Sequence, residues 1–436
     1  MAKKPNTPPT GNCSFCGAPL SEVEMIFSGS DGAHICNNCI EQGHEIVAEQ
    51  MGPQPGASAR ASKKTSVKPL APLAELPKPR QIKEMLDSWV IGQDEAKRYL
   101  AVAVYNHYKR LHHKNGSGAG SGSSSGSGEV EIDKSNIVMV GPTGTGKTLL
   151  ARTIAKMLKV PFTIVDATAL TEAGYVGEDV EGILTRLLQA ADYDVEAAER
   201  GIIFIDEIDK IARKNSNPSI TRDVSGEGVQ QALLKILEGA VVNVAPEGGR
   251  KHPDQKYIKL DTTGILFICG GAFDGIERVI ANRLGTQAIG YGKGGGTQID
   301  RENLLQYVTP QDLKSFGLIP ELVGRLPVLT YLKPLDKTAL RSILTEPKNA
   351  ITRQYESLFA MDGVRLTFEP DALDYIVDKA VEYKLGARGL RSICETIMME
   401  SMYETPGDSE RQAIAVTLQF ARRQLENNDL GLLKVS

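Results

Sequence analysis

Residues 135–148 of the 436-residue chain read SNIVMVGPTGTGKT, and the helical pattern LLARTIAKML follows them directly. A strand, a Gly-x-x-x-x-Gly-Lys-Thr loop and a helix in this order are typical of a phosphate-binding loop. The glycines let backbone N–H groups surround phosphate oxygens, Lys147 reaches the β- and γ-phosphates, and Thr148 offers its hydroxyl to Mg²⁺. The flanking strand and helix disfavour a chance glycine-rich turn. The loop residues predicted to bind a nucleotide are Gly141, Pro142, Thr143, Gly144, Thr145, Gly146, Lys147, Thr148 and Leu149.

A second apolar run, GIIFIDE over residues 201–207, ends in two carboxylates. Asp206 suits the shell of a Mg²⁺ ion, and Glu207 suits a base that orients and deprotonates a water. An isolated Asp-Glu pair is usually a solvated turn, but the phosphate loop in the same predicted sheet favours a catalytic role. The pattern therefore predicts hydrolysis of the nucleotide. A switch GTPase would need a guanine-reading motif, and we find none in the sequence.

Apolar runs alternate with helical stretches through the middle of the chain. Near-continuous apolar strands separated by helices are typical of a parallel sheet that helices cover on both faces. From about residue 332 the pattern is mostly helical with two short strand candidates, which predicts a smaller α+β domain. The fold class is therefore α/β, with a doubly wound parallel sheet. The strand candidates are residues 135–140, 162–166, 201–206 and 264–269 in the sheet, and 363–368 and 413–418 in the smaller domain.

Four of the six cysteines form two Cys-x-x-Cys pairs, Cys13 with Cys16 and Cys36 with Cys39. Four thiolates at this separation suit one tetrahedral Zn²⁺, and so short a segment needs such a metal to fold. Two redox pairs or a disulfide framework are the alternatives. The expected cytoplasmic location disfavours the framework, and the pairs lack the strand-helix context of a thioredoxin. We interpret the neighbouring His34 as a bystander, because four thiolates complete the shell.

Charge and composition narrow the function. The chain has 50 Lys+Arg against 54 Asp+Glu, and residues 1–50 carry two lysines against six carboxylates. Phosphate backbones need the opposite balance, so no nucleic-acid partner is expected and the zinc module is predicted to bind protein. The first residues lack the apolar core of an export signal, and no stretch approaches 18 apolar residues. We therefore expect a cytoplasmic protein with no membrane partner.

The chain is too long for one core, and composition suggests its boundaries. Residues 51–80 are rich in Pro, Ala, Ser and Lys, and residues 115–128 contain almost only Gly and Ser, as flexible linkers do. The predicted segments are a zinc-binding interaction module at 1–50, a flexible linker at 51–80, a large ATPase domain at 81–331 that contains the 115–128 linker, and a small domain at 332–436.

These motifs, together with Val90-Ile91-Gly92-Gln93 before the first helix of the body, resemble the AAA+ ATPases. The remaining motifs resemble, in order, the ClpX-type family of AAA+ protein unfoldases. The resemblance covers the chain apart from the two linkers. It adds Val90 and Ile91 to the expected ATP-binding residues. The segments that carry it are the Cys₄ module, GYVG at 174–177, RDVSGEGVQQALLKILEG at 222–239, GRKH at 249–252, IGYG at 289–292, GLIPELVGRLP at 317–327 and GARGLRSI at 386–393.

The resemblance implies an ATP- and Mg²⁺-dependent chaperone that assembles as a homo-hexamer. Such a ring unfolds tagged protein substrates and threads them through a central pore into a separate serine peptidase of the ClpP type, while adaptors bind the zinc module. The chain has no His-Glu-x-x-His protease motif, so degradation is expected to come from that partner. The alternatives are an AAA+ ATPase that acts on nucleic acid, such as a helicase loader, and a zinc adaptor with a degenerate ATPase. The intact Lys147, Asp206 and Glu207 argue against the adaptor.

The resemblance also implies which residues contact the translocated chain and the peptidase. Tyr175 and Val176 match the first pore loop, where an aromatic side chain between glycines would grip substrate. The segment from Ser225 to Gln230 matches a second pore loop. The channel entrance would be lined by Arg250, Lys251 and His252. The peptidase-docking loop lies in a Gly-rich stretch at 285–296, which we predict to be an exposed loop. Its docking residues would be Ile289, Gly290 and Tyr291, with Tyr where the family has Phe.

Two arginines complete the implied ATPase machinery. Arg325 matches an arginine finger that reaches the nucleotide of the neighbouring subunit, and Arg388 matches a sensor arginine that contacts nucleotide within its own subunit. Arginine suits both roles because its planar fork stays charged and binds phosphate oxygens bidentately. The chain departs from the general AAA+ pattern at the end of the strand GILFIC, where Gly270 and Gly271 replace the usual polar first-sensor residue. That role stays unassigned.

Overall fold

The computed structural model forms two compact units, residues Met1–Ser66 and Val67–Ser436, which we describe separately. The structure describes residues 12–19, 23, 25–28, 33–40, 42, 76–117, 132–171, 178–213, 226–245, 257–290, 300–301, 303–383, 385–407 and 412–427, with the backbone alone at 114–117, 286–290 and 407.

The first unit is built around a short hairpin. Strands β1 (Ile26–Ser28) and β2 (His34–Cys36) pair antiparallel, and Ile26 lies opposite Cys36. A bridge between Asn12 and Pro19 closes the turn that carries the first cysteine pair. The hairpin carries Cys36 at its end, so the two cysteine pairs meet.

The second unit contains a five-stranded parallel sheet. Its strands are β3 (Ile137–Val140), β4 (Phe162–Asp166), β7 (Ile202–Asp206), β10 (Leu266–Gly271) and β11 (Val328–Tyr331). They lie in the order β11-β3-β10-β7-β4. Four of the strands coincide with the predicted apolar runs to within two residues at each end. This order places the phosphate loop, which follows β3, beside the end of β10.

Side chains alternate between the two faces of this sheet. In β3, Ile137 and Met139 pack in one buried cluster, while Val138 and Val140 pack in another. Both faces are thus covered, which confirms the doubly wound α/β prediction. The helices of this domain are α1 (Pro79–Asp87), α2 (Asp94–Ser117), α3 (Lys147–Leu158), α4 (Gly182–Ala190), α5 (Val195–Ala198), α6 (Glu227–Glu238), α7 (Ile276–Gly290), α8 (Pro310–Phe316) and α9 (Pro320–Gly324).

Short strand pairs and a helical domain complete the unit. Strands β5 (Leu170–Thr171) and β6 (Glu178–Asp179) are parallel, and β8 (Val241–Val244) and β9 (Ile258–Asp261) form an antiparallel pair. The smaller domain buries a separate apolar cluster. Its helices are α10 (Lys337–Thr345), α11 (Ile351–Met361), α12 (Pro370–Glu382), α13 (Gly386–Glu404) and α14 (Leu418–Asn427), with the parallel pair β12 (Arg365–Phe368) and β13 (Ala413–Val416).

Three boundaries differ from the sequence predictions. The body begins before residue 81, because Leu76 is buried and helix α1 starts at Pro79. Helix α2 continues to Ser117 and so enters the predicted 115–128 linker. Helix α7 continues through Gly290, whereas we predicted an exposed loop from Gly285 onward. Glycine weakens a helix by only about 1 kcal/mol, which the packing of α7 against the core offsets.

Candidate functional site

A cavity of 580 Å³ lies at the carboxyl edge of the parallel sheet. Its wall combines the phosphate loop, the ends of β7 and β10, and helices of the smaller domain. A site of this kind at the carboxyl ends of the strands is where α/β sheets bind ligands. The residues that line it include Trp89, Thr143, Gly144, Gly146, Lys147, Thr148, Leu149, Asp206, Glu207, Asp209, Lys210, Ala272, Asp274, Ile343, Pro347, Ile351, Gln354, Ala387, Arg388 and Arg391.

The phosphate loop has the backbone that its glycines permit. Gly144 and Gly146 adopt positive φ values of 82° and 101°, and helix α3 begins directly after them at Lys147. The Lys147 ammonium donates hydrogen bonds to the carbonyl oxygens of Gly141 (2.6 Å) and Pro142 (3.0 Å). Burial lowers the pKa of Lys147, although nearby carboxylates oppose the shift. A bound phosphate would give this buried cation an anionic partner in place of neutral carbonyls.

Two oxygen ligands suited to Mg²⁺ meet at the mouth of the loop. The Thr148 hydroxyl donates to the Asp206 carboxylate at 2.9 Å, and the backbone N–H of Glu207 donates to the other oxygen of Asp206 at 3.0 Å. Hydroxyl and carboxylate oxygens are the donors that Mg²⁺ prefers, so the residues present fit this ion. The sequence analysis assigned both residues to one Mg²⁺ ion, and the fold brings them together although they are 58 positions apart in the chain.

Glu207 lies in an unusual backbone conformation. Its φ of 56° and ψ of 34° fall in the left-handed region, which costs a residue with a Cβ about 1–3 kcal/mol. A 3₁₀ turn, Ile208–Ile211, follows at once. The turn redirects the chain at the end of β7, and the exposed Glu207 side chain lines the cavity beside Asp206. That position is suited to a base acting on a water next to the terminal phosphate.

The end of β10 explains the missing first sensor. A Cβ on Gly270 would lie 2.7 Å from Phe204, and one on Gly271 would lie 2.7 Å from a carboxylate oxygen of Asp209. Neither position has room for a side chain. Polar groups next to this strand end therefore come from other segments. Motif matching missed them because they do not belong to the strand.

The nearest of these groups is Asp209, which is buried in the 3₁₀ turn after Glu207. Its carboxylate accepts the backbone N–H of Ala272 at 3.1 Å and so ties that turn to the end of β10. Lys210 lies 3.5 Å from Asp209 and 3.7 Å from Asp274, and all three line the cavity. The two carboxylates therefore hold the ammonium group of Lys210 in the cavity wall.

The smaller domain supplies Arg388 and Arg391 from the first turns of α13. Arg388 lines the cavity, as expected of a residue that contacts nucleotide within one subunit. Arg391 donates to the Gln354 amide oxygen at 2.7 Å. A Cβ built on Gly144 would lie 3.7 Å from the backbone nitrogen of Ala387, so α13 approaches the phosphate loop closely.

The segment before α2 was predicted to contribute Val90 and Ile91 to the nucleotide site. Val90 is buried behind the phosphate loop, and its carbonyl accepts a hydrogen bond from the Lys97 ammonium. Neither Val90 nor Ile91 lines the cavity, whereas the preceding residue, Trp89, does. Trp89 is the single tryptophan of the chain, and Lys156 lies over its ring at 5.0 Å. Trp89 was not predicted, because the Val90-Ile91-Gly92-Gln93 motif begins one residue after it.

Arg325 does not join this cavity. It caps the C-terminus of α9, and its side chain is about half exposed, paired with Glu238. The other predicted catalytic residues, Lys147, Asp206, Glu207 and Arg388, line a single cavity. The separation agrees with a residue that acts on another subunit, which stays a prediction.

The prediction of a second pore loop from Ser225 to Gln230 is partly wrong. Residue 225 lies outside the described residues, and helix α6 starts at Glu227. Val229 and Gln230 are fully buried, and the Gln230 amide bonds the backbone of Ile211 and Ile319. Buried side chains cannot line a channel, so the motif ends in the core.

Tyr175, Val176, Arg250, Lys251, His252 and Tyr291 lie outside the described residues. Ile289 and Gly290 end helix α7, and only their backbone is described.

The four cysteines of the first unit converge on one point, with all their sulfur atoms within 4.8 Å of one another. Cys13 and Cys39 lie 3.9 Å apart, and Cys16 and Cys36 lie 3.6 Å apart. A tetrahedral Zn²⁺ with Zn–S bonds of about 2.3 Å needs sulfurs about 3.8 Å apart. The backbone N–H of Cys16 lowers the pKa of the Cys13 thiol to about 6, which favours the thiolate that a metal binds. The residues present thus fit zinc.

The other two cysteines are core residues. Cys269 and Cys394 are buried, and burial raises the pKa of each thiol to about 12. Both cysteines are therefore protonated, unreactive thiols. In the part of the chain that the structure describes, no helix combines the length and apolar character needed to cross a membrane.

Known protein families match three segments of the chain. Residues 11–49 match the ClpX C4-type zinc finger, residues 132–329 an AAA domain (Cdc48 subfamily), and residues 335–416 the C-terminal D2-small domain of ClpB protein. These matches confirm the predicted fold class. They also confirm the ATPase assignment, with ATP, Mg²⁺ and Zn²⁺ as its cofactors.

Three relatives are similar over nearly their whole length. A protein of Bacteroides fragilis is 63% identical over 425 residues, which is 97% of this chain and 98% of the relative. One of Bacteroides thetaiotaomicron has the same identity and coverage, and one of Porphyromonas gingivalis is 61% identical over 419 residues, covering 96% and 97%. Each is named an ATP-dependent Clp protease ATP-binding subunit ClpX.

Proposed function

The chain belongs to the ClpX family of ATP-binding subunits of the Clp protease, and we propose that it forms a homo-hexameric ring that unfolds tagged proteins and threads them into a partner serine peptidase of the ClpP type. The observation that supports this most is the cavity built from both domains of the ATPase unit. Because one nucleotide would contact the phosphate loop and Arg388 together, its binding and loss would change how the two domains are arranged. Domain movement is how hydrolysis would pull on a substrate.

The chemistry follows from the residues in the cavity. Lys147 and the loop N–H groups bind the β- and γ-phosphates, and Thr148 and Asp206 would hold Mg²⁺, which would shield phosphate charge. Glu207 orients a water for attack on the γ-phosphorus and accepts its proton. Arg388 binds the phosphates from the smaller domain of the same subunit. The products are ADP and phosphate, and loss of the terminal phosphate removes the group that both domains share.

Arg325 acts on the neighbouring subunit. Its charge would stabilise the transition state in a site that it does not itself line, so hydrolysis depends on assembly. Tyr175 and Val176 would grip the substrate, and Arg250, Lys251 and His252 would attract an acidic carboxyl terminus at the entrance. We place the ring in the cytoplasm, where adaptors would bind its zinc module.

The direct test uses purified chain, ATP and a folded fluorescent protein with an exposed C-terminal tag. The wild type should abolish native fluorescence in the absence of any peptidase, and Glu207→Gln should not. Adding a ClpP-type peptidase should convert the unfolded protein to peptides. Ile289→Ala should unfold substrate normally and yield few peptides, because one lost anchor per subunit is multiplied around the ring. If the wild type hydrolyses ATP and native fluorescence persists, unfolding is not its function.

A further inference from the structure

Helix α6 holds the segment that carries Arg325 at both of its ends. The Gln230 amide oxygen, near the start of α6, accepts the backbone N–H of Ile319 at 2.8 Å. Ile319 is the N-cap of α9, and Arg325 is its C-cap. Glu238, the last residue of α6, pairs with the Arg325 side chain. One helix therefore fixes both where α9 starts and where the arginine points.

The backbone at Arg325 is also fixed from the sheet. Asn136, which is buried just before β3, donates its side-chain N–H to the Arg325 carbonyl at 3.1 Å. The same amide group lies 3.3 Å from the Leu237 carbonyl, one residue before Glu238. Asn136 thus joins the ends of α6 and α9. The Cα of Arg325 is set by buried contacts, and only its long side chain needs further orientation.

The geometry of the ion pair leaves part of the guanidinium free. One oxygen of Glu238 accepts the Nε–H of Arg325 at 2.9 Å and lies 2.8 Å from Nη2 of the same guanidinium. The fork has five N–H donors, and Glu238 is the one side-chain partner that Arg325 has among the described residues, so the donors on the edge away from Glu238 remain available. A phosphate needs that edge for a bidentate contact. Both side chains are about half exposed, at 52% and 46%, so the free edge can meet a neighbouring molecule.

We propose that Glu238 is a positioning residue that holds the Nε edge of Arg325 and presents its Nη edge to the nucleotide of the neighbouring subunit. The inference rests on the proposed action of Arg325 between subunits. Glu238 does not touch the nucleotide. It restricts the rotation of a long side chain before assembly, so fewer conformers are lost when the phosphate is bound.

The alternative is that Glu238 competes with the phosphate for Arg325. The two possibilities predict opposite changes in rate. A positioning carboxylate makes hydrolysis slower when it is removed, and a competing one makes it faster. The amide of glutamine retains an oxygen that can accept the Nε–H of Arg325 but lacks the charge, so it separates geometry from electrostatics.

The experiment measures steady-state ATP hydrolysis by Glu238→Ala, Glu238→Gln, Arg325→Ala and the Glu238→Ala/Arg325→Ala double variant, at subunit concentrations where sedimentation shows assembled rings. We expect Glu238→Ala to lower kcat about tenfold with KM for ATP nearly unchanged, because the contact serves the transition state. Glu238→Gln should stay within about threefold of the wild type. The double variant should equal Arg325→Ala, since Glu238 acts only through Arg325.

The matched control is Lys235→Ala. Lys235 lies on the same helix as Glu238, and its replacement removes a surface ion pair with Glu181. It should hydrolyse ATP at the wild-type rate, and thermal unfolding should show all variants folded, because exposed pairs contribute little to stability. A wild-type or faster rate in Glu238→Ala overturns the proposal. A double variant much slower than Arg325→Ala also overturns it. If Arg325→Ala itself keeps full activity, the action between subunits fails first, and Glu238 loses the residue that it would position.

Discussion

Strand β3 has a lysine near each end, Lys147 buried and Lys134 partly buried, and the two lysines have different uses. Lys147 follows its carboxyl end and lines the nucleotide cavity. Lys134 precedes its amino end, and its ammonium donates to the Thr262 carbonyl at 2.9 Å. Burial lowers the pKa of both, and that of Lys134 falls to about 7. A perturbed pKa therefore marks burial in this protein, and the cavity is what marks function.

The amino end of the strand shows what a structural cluster looks like. Three consecutive carbonyls of one 3₁₀ turn, those of Thr262, Thr263 and Gly264, bond the side chains of Lys134, Arg110 and His107 respectively, at 2.8–3.0 Å. That turn directly follows β9 and leads into β10. The basic groups stabilise the turn at the base of the β8–β9 pair. Lys147 also bonds two carbonyls, but it alone of the two lysines lines a cavity that accepts phosphate.

The largest effect is expected at the carboxyl edge. Glu207→Gln should reduce ATP hydrolysis by about 100-fold or more while nucleotide still binds, because the amide keeps its shape but cannot accept the proton of water. Rate measurement and calorimetric titration with ADP test the two parts. A rate within a few-fold of the wild type would remove the chemical distinction between the two ends of the sheet.

Two glycines, Gly271 at the end of β10 and Gly264 in the turn that precedes this strand, sharpen the comparison. A Cβ at Gly271 would contact Asp209 and Phe273 beside the cavity, and one at Gly264 would contact the backbone of Glu199 at the other end. Each alanine variant should lose about 1–3 kcal/mol of unfolding free energy through overpacking. Only Gly271→Ala should also lower kcat, by about tenfold, since Asp209 ties the turn after Glu207 to β10.

Chemical denaturation and ATPase rates at a temperature where both variants are folded test this pair. Equal loss of kcat in Gly264→Ala and Gly271→Ala would show that the rate follows global stability. The control is Gly285→Ala on α7, where a Cβ meets no neighbour within 4 Å and helix propensity should improve slightly.

A smaller effect is expected from pH. Lys134 has a folded-state pKa of about 7, below its ordinary 10.5, so the unfolded chain binds more protons between these values. Stability contributed at this site is therefore lowest below pH 7 and rises as the pH increases towards 10.5. Relative to Lys134→Met, the wild type should gain about 1–2 kcal/mol between pH 7 and pH 9. Parallel denaturation curves with a pH-independent difference would contradict the burial of a titrating amine.

Local sequence patterns predicted the carboxyl edge well. The phosphate loop, Asp206 and the strand at residues 162–166 depend on short motifs and apolar runs, which a single stretch of sequence contains. The C-terminal end of α7 could not be predicted this way. The glycines at 285 and 290 favour a loop locally, but packing of the helix against the core outweighs that preference. Propensity is a weak guide where tertiary packing decides.

Residues that act through distant partners were missed for the same reason. Asp209 is one turn beyond a recognised motif, and its role depends on Ala272, far along the chain. Gln230 was expected in a pore loop, yet its bonds to Ile211 and Ile319 place it in the core. The Glu238–Arg325 pair joins residues 87 positions apart. Pairings of this range follow from the fold and are absent from the motif.

We infer that ATP chemistry takes place at the carboxyl end of β3 and that the amino end of this strand only supports the fold. The most direct measurement compares ATP hydrolysis by Lys147→Met and Lys134→Met, at saturating ATP and at 25 °C with both proteins shown to be folded. We expect no hydrolysis above background for Lys147→Met and a rate within about twofold of the wild type for Lys134→Met. Wild-type hydrolysis by Lys147→Met, or its loss in a folded Lys134→Met, would show that the two ends of the strand do not differ in this way.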